Sequence, residues 1–139
     1  MVDARHIARQ PSVLTPRLFA LCLLAGGLAV SKQAAAAEDR AREAAQQADV
    51  HHARATQLFQ EQKFAEAARE LERVYALEPK PLYLFNIAQA YRRAGIADKA
   101  LAAYEQFISV ATGHPLVREA SGYAQDMRAL VTEQRRTVQ

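Results

Sequence analysis

Displaced by 33 residues, the chain falls on itself at its most distinctive positions: Ala55 on Ala88, Leu58 on Tyr91, Ala67 on Ala100 and Leu71 on Tyr104. That period accommodates two helices with their turns, so the chain is committed to stacking helix pairs. Small residues at matching places have a local reason, because only a small side chain fits where two helices cross at short range. Ala55 with Ala67, and Ala88 with Ala100, supply those contacts. Leu58, Leu71, Tyr91 and Tyr104 fill the space beside each crossing. Alanine dominates throughout, with 30 Ala against five Phe and five Tyr in 139 residues. It favours helix more than any other residue and buries little area, which suits closely packed helices and not a sheet.

Punctuation and periodicity agree. Pro79 and Pro81, Gly95, and Gly113-His114-Pro115 mark three breaks, each a plausible helix stop or start. No segment alternates β-branched residues with period two, and no Asn-Gly or Asp-Gly turn occurs. Between the breaks, Phe64, Ala67, Ala68, Leu71, Val74 and Tyr75 form one helical stripe. Ala97, Ala100, Leu101, Tyr104, Phe107, Ile108 and Ala111 form a second, with Ala103 off it. The spacing predicts an all-α chain with helices near 39–61, 64–77, 82–94, 97–111 and 115–135. The last carries Leu116, Ala120, Ala124, Met127 and Val131 and suits a terminal helix with one wet side.

Residues 1–37 read as an export signal and not as fold. Arg5, Arg9 and Arg17 form a basic segment ahead of a 13-residue apolar run, Leu18 to Val30. Ala35-x-Ala37 is the small-x-small pattern that a signal peptidase accepts. Thirteen residues span about 20 Å as helix, short of the ~30 Å hydrocarbon core, so cleavage is favoured over an anchor. An uncleaved segment would still place the body across the inner membrane, because the arginines hold the N-terminus in the cytoplasm. Cys22 lies mid-run behind Leu21 and is read as filler of the signal helix, which leaves residues 38–139 without a thiol. From Glu38 onward, 14 cations face 14 acids, so the body has no net field to draw in nucleic acid.

On these residues the chain resembles the tetratricopeptide repeat family. Leu84-x2-Ile87-Ala88-x2-Tyr91, followed by Ala100-x3-Tyr104, is similar to the family's W-x2-L-G-x2-Y and A-x3-F pattern. His51-x2-Arg54-Ala55-x2-Leu58, Ala67-x3-Leu71 and Pro79 give a first copy in which His51 and Arg54 replace a large apolar pair. The repeats lie near 48–80 and 81–113 within a 38–139 domain, and a capping helix follows. With the leader, the chain looks like the short exported tetratricopeptide proteins of Gram-negative bacteria. The resemblance implies a non-catalytic protein-binding scaffold that takes no cofactor. It meets the membrane only through the signal segment. Two repeats and a cap are few, so a second copy of the chain is an alternative cover for the open first repeat.

Leu82, Phe85, Gln89 and Arg92 run along helix 82–94, turned away from its packing stripe. In the resembled architecture this line faces a concave partner groove, and Asp49, His52, Thr56 and Phe59 are its equivalents one repeat earlier. The alternative is that Leu82 and Phe85 are covered by neighbouring helices. Asn86 is expected to bond to a loop. His51-His52 makes no metal clamp, because adjacent helical residues point about 100° apart and Gln47, Ala48, Ala55 and Thr56 occupy the useful spacings. His114 has no acid or cysteine near it in sequence. Glu66, Glu70 and Glu72 are expected on a solvated face, with Glu66–Arg69 and Glu70–Arg73 as i,i+3 pairs. No nucleophile elbow or Gly-rich phosphate loop is present, so no catalytic residue is assigned.

Processing after Ala37 produces a chain that begins at Glu38. Intact-mass measurement of envelope-purified protein checks this. A full-length mass confined to the membrane fraction would instead identify an anchor.

Overall fold

The computed structural model describes residues 19–138, with side chains from Lys32 onward. It is all-helical, and no strand occurs among the described residues. In order come α1 (Phe19–Gln60), α2 (Phe64–Leu77), α3 (Pro81–Arg93), α4 (Ala97–Val110) and α5 (Val117–Val138). Arg5, Arg9 and Arg17 lie outside the described residues. Contacts divide the chain into a unit ending at Asp39 and a unit of Arg40–Gln139. Among the described residues no helix is long and apolar enough to cross a membrane.

The helix expected over 39–61 is the C-terminal part of a 42-residue helix, and Ala35 and Ala37 lie exposed within it. The last helix begins at Val117 because residues 114–116 form a turn of their own. There the Leu116 N–H donates to His114 Nδ1 at 3.2 Å, and the His114 ring meets Phe107 edge-on, 5.5 Å between centroids. His114 is therefore an element of the turn that admits the chain to α5.

Two other turns are built alike. After α1, the Lys63 N–H donates to the Leu58 carbonyl at 2.9 Å and that of Gln62 to Phe59 at 3.1 Å. After α3, the Ile96 N–H donates to Tyr91 at 3.0 Å and that of Gly95 to Arg92 at 3.1 Å. This paired pattern closes a helix through one residue in the left-handed region. Gly95 holds φ 73° and Gln62 holds φ 60°, so a side-chain-bearing residue does at the first turn what glycine does at the second.

Each helix from α3 to α5 packs on the one before it in the chain. The α1–α2 join is carried by a His51–Glu70 bond and by the Phe59 and Phe64 rings, 5.0 Å apart and edge to face. Ala55, Ala88, Ala100, Tyr91 and Tyr104 belong to one contiguous core cluster, as do Phe85, Phe107 and Met127. Ala67 is fully buried too, alongside Ala48 and Val74, but outside that cluster. Ala103, expected off the packing stripe, is only 8% exposed. It lines a 270 Å³ hollow over α3 with Tyr75, Leu84, Ile87, Tyr91 and Ala102.

Leu at Ala88 or Ala100 should overpack the α3–α4 crossing at about 1–3 kcal/mol. Leu at Ala103 should change stability by under about 0.5 kcal/mol, because the hollow receives it. Thermal melts of the three variants check the difference, and equal melting temperatures would sink the proposed crossing.

Candidate functional site

A groove of 390 Å³ runs between the C-terminal half of α1 and α3. His52, Ala55, Thr56, Phe59 and Gln60 form one wall at helical spacing, and Asn86 and Gln89 form the other. Leu71 of α2, with Ala55 and Phe59, supplies the apolar part of the lining. No lining residue is a carboxylate, a lysine or an arginine. Chemically the groove offers an apolar seat ringed by neutral donors and acceptors, a composition suited to a peptide or helix.

Of the residues expected to face a groove, His52, Thr56, Phe59 and Gln89 line this one, and Asp49 does not. Leu82 is 46% exposed but lies outside the lining. Phe85 is a correction. At 8% exposure it belongs to the core, its ring 6.0 Å from that of Tyr104 and 5.5 Å from that of Phe107. An aromatic on that line is drawn under α4 because the alanines beside it let α4 approach. Arg92 is half-buried and held by two neutral groups. Its Nη2 donates to Gln89 Oε1 at 2.8 Å, its Nε reaches the same atom at 3.3 Å, and its guanidinium lies 4.4 Å from the centre of the Tyr123 ring.

Sequence reasoning missed three contributors. Asn86, expected to bond to a loop, lines the groove and makes no side-chain hydrogen bond there or elsewhere among the described residues. Gln60 joins the α1 wall. Arg93 sits over Phe59, 4.8 Å from the ring centre, and 5.8 Å from that of Phe64. The 33-residue period pairs Gln60 with Arg93, a signal available in the sequence but not used.

The acidic face of α2 also differs from expectation. Glu70 is buried, and its carboxylate collects three cationic or donor groups. His51 Nδ1 lies 2.7 Å from Oε2, and Arg73 and Arg54 approach Oε1 at 2.8 and 3.6 Å. A carboxylate only accepts, so His51 carries its proton on Nδ1. Burial raises the Glu70 pKa, but the His51 bond and the charges of Arg73, His51 and Arg54 outweigh it and hold the carboxyl below its usual value. Glu72 accepts from the Tyr91 hydroxyl at 2.7 Å, and burial with that bond pushes the phenol up to about 12. The Glu66–Arg69 pair is not formed. No group of three or more His, Cys, Asp or Glu with metal-holding geometry occurs among the described residues.

No family model matches the chain, and neither the curated proteins nor the solved structures yield a match.

The folded-state pKa of Glu70 lies below its unfolded value, so its ionised form stabilises the fold at neutral pH. That contribution is lost as pH falls through the folded value. Glu70→Gln should therefore melt below wild type at pH 7, and the gap should narrow as pH drops past the ordinary carboxyl value of 4.5. Melting curves across a pH series check this, and a gap independent of pH would exclude the assignment.

Proposed function

We propose that the chain is a non-catalytic adaptor of the tetratricopeptide type, exported to the periplasm, that holds a segment of a protein partner in the α1–α3 groove. The observation that carries this reading is the lining itself. His52 and Phe59 of α1 face Gln89 of α3 across an apolar seat, as the repeat register requires of concave-face residues. Further support comes from the backbone. The turns closing α1 and α3 repeat their hydrogen bonds 33 residues apart, and Ala100 N–H donates to the Ile96 carbonyl as Ala67 does to Lys63. Export rests on the basic and apolar leader with its Ala35-x-Ala37 site.

The test is site-specific. Benzoylphenylalanine placed at Gln89 should crosslink a distinct envelope protein on illumination, whereas the same group at exposed Arg118 of α5 should not. Thr56→Trp, which fills the groove from an exposed position, should abolish that adduct and leave the melting temperature unchanged. An adduct that survives Thr56→Trp would refute the groove. An adduct between two copies of this chain would establish a homo-oligomer in place of an adaptor.

A further inference from the structure

The groove is electrically lopsided in a way its neutral lining conceals. α3 ends in Arg92 and Arg93, and neither guanidinium is paired with a carboxylate among the described residues. Everything that holds them is neutral: Gln89 and the Tyr123 ring for Arg92, the Phe59 and Phe64 rings for Arg93. A ring face attracts a cation without cancelling its charge. The carbonyls of the last turn of α3 offset only about half a charge, which leaves this end of the groove positive. At the other end, Lys80 is already neutralised by Glu78 at 2.6 Å and is also drawn by Asp49. Phe59 links the two features, because the ring that lines the groove also carries the Arg93 guanidinium at 4.8 Å.

We infer that the occupant of this groove is an acidic protein segment, with an apolar side chain seated on Phe59 and Leu71 and an adjacent Asp or Glu bonded to Arg93. This rests on the groove reading above and adds the partner's chemistry to it. A guanidinium presents a planar fork that matches a carboxylate, and resting on aromatic faces fixes that fork before the partner arrives. Arg92, half-buried and bound by Gln89, adds long-range attraction more than contact. Two cations at one end of a body with zero formal charge are far from the extended basic stripe that a nucleic acid requires.

Short random peptides displayed on phage and selected on the full chain provide the test. Selected binders should be enriched in Asp and Glu over the input library. A synthetic binder with its acids changed to Asn and Gln should bind at least about tenfold more weakly. Arg93→Gln should produce a similar loss against the original peptide, and Arg93→Lys a smaller one. Arg93 is exposed, so melting should not change in either variant. Thr56→Trp should abolish binding. Binders without acid enrichment, or an amide version that binds equally, both still blocked by Thr56→Trp, would overturn the acidic partner and leave the groove. Binders indifferent to Thr56→Trp, or none from the library, would overturn both. Sedimentation showing a dimer that Thr56→Trp converts to monomer would mean a second copy occupies the groove, and would also overturn the inference.

Discussion

Close approach of successive helices through alanine is the constraint on which the rest of this structure depends. Ala67, Ala68, Ala88, Ala90, Ala100 and Ala120 have no exposed surface at all, and they occur on every helix from α2 to α5. Contacts made through Cβ alone bring axes toward the short end of the usual 8–10 Å range. Short crossings leave wedges on either side, and the wedges take the aromatics: Tyr91, Tyr104 and Phe107 are the largest fully buried side chains besides Val74. The two tyrosines fare differently. Tyr91 reaches Glu72 with its hydroxyl, whereas Tyr104 keeps a buried hydroxyl without a hydrogen-bond partner. Burial pushes the Tyr104 phenol up to about 12, against the pull of the nearby Arg92 charge.

The same register accounts for the departures at His51 and Arg54. Shifted by 33 residues, His51, Arg54 and Glu70 correspond to Leu84, Ile87 and Ala103. The later three border one hollow, and the earlier three meet in one ion cluster. The three corresponding positions thus form a charged set in the first helix pair and a set without charge in the second. A Glu at position 103 would find Lys99, one turn earlier on α4, as the cation lining that hollow, and no counterpart of His51 or Arg54. Leu or Ile in the earlier setting would leave Glu70 short of the groups that hold it ionised. The first pair trades apolar burial for charge pairing at the end nearer solvent, where Arg54 and Arg73 remain well hydrated.

Much of the fold was legible because periodicity and punctuation are backbone properties. The helix expected over 64–77 is α2 to the residue, and those expected over 82–94 and 97–111 agree with α3 and α4 within one. What was illegible depends on neighbours that one helix cannot name. Phe85 lies on the line that carries Gln89, and only the closeness of α4 decides that one is covered and the other open. Glu70 looks solvated beside Arg73, until α1 lays His51 across it. Gln62 carries no sign of a left-handed backbone, whereas Gly95 announces it. His52, Thr56, Phe59 and Gln89 line one groove because register determines their face, whereas the cover over Phe85 depends on α4.

The groove is also tied to the last helix by a continuous set of contacts. Gln89 lines it, and the carbonyl oxygen of Gln89 is engaged by two nitrogens of Arg92. The Arg92 guanidinium then rests on Tyr123 of α5, whose ring lies 5.6 Å from that of buried Tyr104. With its oxygen occupied, Gln89 presents its amide N–H groups as its remaining polar function, beside an Asn86 amide that can both donate and accept. α5 thus does more than cover the core of α4. By holding Arg92 it determines which polar atoms Gln89 presents to the groove.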